Sequence, residues 1–267
     1  HHLGRARALH ALARLPADRF LWVDCLVVNQ HVNNDAGFEW WSTTFRESVA
    51  SIGSTLLVLT PWSAPEALVR VWCLFEVWAT VVTGTSLRVL LPAAERDAFV
   101  EALLEDFRLL DRLLELDVAK AQAFNPADRE NIFKAINASV GFHELNVEAK
   151  AALRTALVGV GLAAVEERVA ERGEEDEEVL RLMYQLGSVC WQLGMLEQAG
   201  GLLERALAGF EKVLGPEHEA TLVAMDTLAN KRTGQGRHEE AAELYERALA
   251  GKEATLGPEH ESTLGTV

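Results

Sequence analysis

One carboxylate stands out in the first half of the chain. Glu76 lies among Trp72, Cys73, Leu74, Phe75, Val77 and Trp78, and no Lys or Arg occupies the positions three or four residues to either side, so its own helix offers it no ion pair. A carboxylate desolvated without a partner is pushed toward its neutral form, one physical route to a general acid or a nucleophile. The alternative is a helix-face Glu that points at water. Other candidates for chemistry are sparser. Asp24 interrupts the apolar run Phe20 to Val28, where an acid must be paired, protonated or placed at the open end of the strand. Asn29 and Gln30 just beyond it favour the open end. His31 and Asp35 are too few for a metal site, and Cys25, Cys73 and Cys190 have no CxxC spacing. Neither a metal nor a disulfide framework is expected.

These residues need elements to hold them. Leu56 to Leu59 form a short apolar run stopped by Pro61, which reads as a strand buried on both faces in a parallel sheet. Ser63 followed by Glu66, with Pro65 between them, is a capping-box start and predicts one helix from about Ala64 to Val82, ended by Gly84. In open α/β sheets the ligand crevice lies at the carboxyl ends of the strands, which puts Thr60 and Trp62 beside it. Before this unit, residues 3 to 14 read as a helix, Phe20 to Val28 as a buried strand, and Trp40, Phe45, Val49 and Ile52 as one helix face. After it, Leu87 to Leu91 reads as another strand and Ala93 to about Glu115 as a helix. Asn125-Pro126 starts another helix, and one beginning near Asn146 continues past Val165.

The 267 residues and 49% hydrophobic content allow two domains with real cores. The formal charge is −15, and residues 1–90 hold 7 acidic and 7 basic residues, so the excess lies downstream. That balance argues against nucleic acid and against an anionic membrane surface. No apolar run is long enough to span a bilayer, no leader pattern is present, and a reducing, cytoplasmic setting is expected. The run Glu174 to Glu178 after Gly173 reads as a solvated linker that also starts a helix.

The last third repeats itself. ERALAGFEKVLGPEHEATL from Glu204 returns as ERALAGKEATLGPEHESTL from Glu246, a period of 42. The same step aligns Leu186 with Leu228, Gly194 with Gly236 and Ala199 with Ala241. Helices are expected at 179–193, 197–213, 219–233 and 239–255, with small residues at the contacts and Leu203 and Tyr245 filling between them. The pattern resembles the tetratricopeptide repeat, and the LGPEH loop with its long period is similar to the kinesin-light-chain variety. The resemblance covers residues 179–267, two complete repeats and a third expected to be truncated with an apolar end exposed. It implies an all-α solenoid whose concave face binds an extended peptide or partner protein, with Gln185, Ser188, Gln192, Asn230 and Thr233 as candidate contacts.

A second resemblance lies at the front. FLWVDCLVVNQ, the helix around Phe45 to Ile52, the strand LLVLT and then VWCLFEV follow the order of elements in TIR-like domains, and the Asp-containing strand is similar to a segment of fungal heterokaryon-incompatibility domains. Trp72-Cys73-Leu74-Phe75-Glu76 matches the family's WCxxE-like motif. This implies a flavodoxin-like α/β domain over residues 1–165 with a short parallel sheet and helical additions, lacking its first strand, then a linker at 166–178. It also implies self-association of the domain as one way of working, and Glu76 as the residue needed for NAD cleavage, with Asp24 and Trp62 as substrate-binding neighbours. NAD would be a substrate, and no resident cofactor is expected. Two departures are the long spacer from Pro61 to Val71 and the missing nucleotide loop, so the isolated chain is expected to be inactive. The sequence thus supports a signalling or scaffold protein that binds partners through its repeats, with an NAD-cleaving enzyme regulated by the array as the alternative.

Overall fold

The structure, a computed structural model, describes residues 38–106, 109–110, 117–123 and 125–266, with side chains from residue 42 onward. The helix expected at 3–14, the strand Phe20 to Val28 and Asp24 lie outside the described residues. The chain divides into two compact units, one of residues up to Phe99 and from Leu113 to Leu157, the other of Val100–Arg112 and Val158–Val267.

The first unit contains helix α1 (Phe38–Ile52), strand β1 (Ser54–Val58), helix α2 (Val71–Val82), strand β2 (Ser86–Leu90), the start of α3 (Ala93–Glu105), α4 (Pro126–Ala138) and the start of α5 (Gly141–Arg172). Strands β1 and β2 pair in parallel, from Ser54 opposite Ser86 to Val58 opposite Leu90, and Leu59 N–H extends the ladder to Leu90 O at 3.1 Å. Parallel pairing needs a crossover, and α2 supplies it. Among the described residues the sheet has two strands. Leu57 and Leu59 are buried while Leu56 and Val58 are half-buried, and Ser86 and Arg88 of β2 are exposed. Among the described residues the expectation of strands covered on both faces is met on one face alone, with Leu57 and Leu59 buried and the alternate side chains partly open.

The single helix predicted from Ala64 is also corrected. A 3-10 turn at Glu66–Val69 comes first, with no side-chain cap, and α2 starts only at Val71. Between them Arg70 is extended, with φ −96° and ψ 125°. Val71 N–H donates to Gln122 O and Gln122 N–H to Val69 O, each at 2.9 Å. Pairing with a distant strand-like segment satisfies the backbone there and displaces the helix that local sequence favours.

α2 is the core of this unit. Val71, Leu74, Phe75, Val77, Trp78 and Ala79 are all at most 2% exposed. The Phe75 ring meets Phe45, Trp72 and Trp78 at 5.6, 5.8 and 5.0 Å between centroids. The two indoles need partners for their N–H groups. Trp72 donates to Asp128 at 3.1 Å and Trp78 to Ser139 at 3.0 Å, which ties α2 to α4. The Asn125 cap expected for α4 is present, accepting from Ala127 N–H at 3.1 Å. α5 begins earlier than expected, at the left-handed Gly141, and runs to Arg172.

The second unit carries the repeats as α6 (Glu177–Gln192), α7 (Leu196–Val213), α8 (Glu219–Gly234), α9 (His238–Leu256) and the short α10 (Glu261–Leu264). The four predicted helices form within a few residues of their expected ends. Ala199, Ala206, Ala229, Ala241 and Ala248 are fully buried, at most 1% exposed. Gly187 lies so close to Leu203 that an added Cβ would stand 2.8 Å from Leu203 Cγ, which is how small residues let helix axes approach.

The stretch read as an acidic linker has the same backbone form as the LGPEH loops and, as expected, starts a helix. Gly173, Gly215 and Gly257, spaced by 42, have φ of +90°, +93° and +88°, a region open to glycine. Three residues after each comes a helix cap: Asp176, His218 and His260. Val158–Arg172 of α5 therefore stands where a repeat's second helix would, and Leu186 packs against its Gly161.

Candidate functional site

Gln185, Ser188 and Gln192 lie on one stripe of α6 with Arg181, since residues four, seven and eleven apart share a helix face. Arg181 and Gln192 are exposed, Gln185 and Ser188 half-buried. The same stripe of α8 carries Val223, Thr227, Asn230 and Gly234. Two contacts set the stripes side by side. Tyr184 and Thr227 share a hydroxyl–hydroxyl hydrogen bond of 2.9 Å, and Lys231 Nζ stands 5.0 Å from the Trp191 ring centroid. Trp191 also covers Gly234, where an added Cβ would be 2.9 Å from the indole. Burial holds the Lys231 ammonium below the usual lysine range.

Not every predicted contact is a free donor or acceptor. Tyr245 donates to Asn230 Oδ1 at 2.9 Å while Asn230 Nδ2 donates to Asp226 O at 2.9 Å. The Thr233 hydroxyl returns to Ala229 O at 3.0 Å, a local bond that competes with outside partners. Sequence reasoning missed Tyr184, Trp191 and Lys231. The aromatic pair spaced by seven on α6 was the available signal.

Cations elsewhere in this unit are engaged structurally. Arg232, at the repeat position where Cys190 is buried, is itself buried and reaches Glu204 and Glu240. Lys252, at the position of Phe210, is 3% exposed and donates to Asp226, to Thr266 Oγ1 at 2.8 Å and to Ser262 O at 3.0 Å.

In the first unit Glu76 is half-buried on α2, and Thr80 Oγ1 donates to its carbonyl at 2.7 Å. Trp62 follows the carboxyl end of β1. Its N–H donates to Glu95 at 2.8 Å and its ring meets Phe99 edge-on at 5.6 Å, so the first turn of α3 fixes it. Asp24 lies outside the described residues. Among the described residues no group of three or more His, Cys, Asp or Glu could hold a metal ion, and no helix is long and apolar enough to cross a membrane.

No curated protein sequence matches the chain. Solved structures similar to it include two of kinesin light chain nearly identical TPR-like repeats from Podosopora anserina, one of them a form with a single substitution. Each is 22% identical with a TM-score of 0.40, covering 64% of this chain and 77% or 78% of the other. Residues 178–264 match the family model for the tetratricopeptide repeat, and with their helix pairs, buried alanines and 42-residue period they are tetratricopeptide repeats.

Proposed function

We propose that the chain is a scaffold or signalling protein that holds an extended peptide of a partner protein along the first helices of its repeats. The observation that carries this reading is the pair of adjoining polar stripes, Gln185, Ser188 and Gln192 on α6 and Thr227 and Asn230 on α8. Repeat solenoids bind along such surfaces because each repeat adds one rung to a continuous face. Thr233 flanks the stripe, and Asn230 is held in place by Tyr245 and by Asp226 O. Peptide display against the 267-residue chain is the test. Enriched sequences should lose binding when Ser188→Arg and Asn230→Arg place long charged side chains on the stripe. Failure to enrich any sequence, or equal binding to the double variant, overturns the reading.

A second reading rests on Glu76, on the crossover helix between the parallel strands β1 and β2, with Trp62 just beyond the carboxyl end of β1. A carboxylate there would stabilise the oxocarbenium-like state in which the bond to nicotinamide breaks, as carboxylates do in glycoside hydrolysis. Nicotinamide release from NAD by a protein extended upstream of His1, compared with its folded Glu76→Gln variant, tests it. Equal rates remove Glu76 from any mechanism.

A further inference from the structure

Repeats that match this closely can pair out of register. Leu180 over Gly209 and Leu222 over Gly251 are the same contact 42 residues apart, and Glu204–Gly209 of α7 reads letter for letter as Glu246–Gly251 of α9. By these contacts alone α9 would fit α6 as well as α8. One place distinguishes the two helix pairs. Lys252 of α9 is 3% exposed, and an ammonium has three N–H donors to satisfy. They go to the Asp226 carboxylate of α8, to Ser262 O of α10 at 3.0 Å and to Thr266 Oγ1, just beyond α10, at 2.8 Å. The Thr266 hydroxyl in turn donates to Asp226 Oδ2 at 3.2 Å, which closes the node. The residues aligned with Lys252, Asp226 and Thr266 one repeat earlier are Phe210, Tyr184 and Ala224. Phe210 and Ala224 are buried. All three positions thus differ together between the repeats, from apolar or aromatic in the first to charged or hydroxyl-bearing in the second.

We infer that Lys252, Asp226 and Thr266 are a matching device between repeats: they admit α8 and α10 as the neighbours of α9 and reject the equivalent helices of the other register, from the same chain or from a second copy. Packed on α6, α9 would set the Lys252 ammonium against Tyr184, and a helix bringing Ala224 in the place of Thr266 would remove a second acceptor. Only a backbone carbonyl, that of Ala220 in the place of Ser262, would remain. In the same exchange Asp226 would face Phe210 of α7. A buried charge left without its partner is strongly disfavoured. Replacing a buried ion pair by apolar residues of similar volume, on the other hand, is often neutral for stability. What the charges contribute to α9 is therefore the choice of neighbour, as a single buried polar residue fixes the register of a coiled coil.

The matching does not depend on what the groove binds. The test uses the 267-residue chain and two variants. Asp226→Tyr, Lys252→Phe and Thr266→Ala together copy the first repeat into the second and remove the charges. Tyr184→Asp, Phe210→Lys and Ala224→Thr together copy the second into the first and make both helix pairs alike. Each chain is unfolded in urea and refolded at rising protein concentration from an equal mixture of isotope-labelled and unlabelled copies. Exchange is read by mass spectrometry as cross-links joining α9 of one copy to α6 or α8 of another, above the level in chains never unfolded. An unpaired buried charge disfavours a wrong pairing by a factor on the order of a hundred, so both variants should exchange at least about ten-fold more than the unaltered chain. Sedimentation should show that the exchanged particles outlast dilution, since their helices are interlocked. If one variant fails to fold the other decides, and if neither folds, Lys252→Met with Asp226→Leu replaces them. A folded variant that exchanges no more than the unaltered chain overturns the inference, and so does an unaltered chain that exchanges as freely as the variants.

Discussion

Leu222 lies against Gly251 so closely that a Cβ on residue 251 would stand 2.5 Å from Leu222 Cδ2, and 42 residues earlier Leu180 covers Gly209 in the same way. The contact belongs to the repeat: a leucine of the first helix enters the gap left by a glycine in the second. Gly200 and Gly201, in the second turn of α7, have nothing within 4 Å of where a Cβ would be. Opposite effects follow from one substitution. Gly209→Ala or Gly251→Ala should overpack the helix pair and cost about 1 to 3 kcal/mol, whereas Gly200→Ala or Gly201→Ala should stabilise by about 0.5 to 1 kcal/mol through helix propensity. Urea midpoints of the four variants check this, and a uniform sign across them would contradict the packing.

The same logic bears on Ala199 and Ala241, buried where helices of a pair meet. Leu at either place should destabilise by about 1 to 3 kcal/mol, and unchanged thermal midpoints in both variants would count against the pairing.

The repeats were legible because their signal is doubled: a period of 42 and small residues at fixed places both survive in the letters. The loop before α6 was not legible as a repeat. RGEED shares only its glycine and one acidic position with LGPEH, and what the loops have in common is a left-handed φ at Gly173 and a cap at Asp176, which different side chains can provide. In the first unit the apolar runs pointed to the two parallel strands and the Asn125 cap to α4. The late start of α2 was hidden because its cause, Gln122, is about fifty residues away, and no local pattern reports a tertiary backbone pair. For the candidate groove, the polar residues of α6 and α8 could be found by their spacing. The tie between Trp191 and Lys231 could not, since position 231 aligns with the buried Val189.

Lys252 and Asp226 give a prediction that the apolar repeat pattern would not. The ion pair is buried at the Lys252 end, and both groups are also bonded to Thr266. Removing one partner leaves the other charge poorly solvated, so Lys252→Met or Asp226→Leu alone should cost about 3 kcal/mol. Replacing both with apolar residues should recover most of that loss. A double-mutant cycle by denaturant unfolding measures the coupling, and additive losses would show that the pair is not acting as a unit.

Cys190 is 0% exposed, and burial pushes its thiol up to about 11. The thiolate is the reactive form, so Cys190 should resist thiol reagents at neutral pH until the repeat opens. The sign for stability follows: burial favours the protonated thiol in the fold, so its contribution is intact below the unfolded value and is lost as the pH rises toward about 11. Peptide mapping after brief alkylation should find Cys190 unlabelled in the native chain and labelled in denaturant. Rapid native labelling would contradict its placement in α6.

Trp191 joins the two stripes of the groove, and its parts can be separated. Its ring carries Lys231 on one side and covers Gly234. Lys231→Met keeps a long apolar stem over the indole and removes only the cation–π attraction, a loss of about 0.5 to 1 kcal/mol at such a half-exposed place. Trp191→Ala removes the ring itself and leaves the Gly234 surface open, so the cost should reach about 3 kcal/mol. Gly234→Ala should displace the indole without deleting it and fall between the two. Thermal unfolding gives the order, and tryptophan-directed quenching gives the cause: if Gly234→Ala leaves quenching of Trp191 unchanged, in a background where the other tryptophans are replaced by Phe, the indole does not rest on α8 and the two stripes are not held together by it.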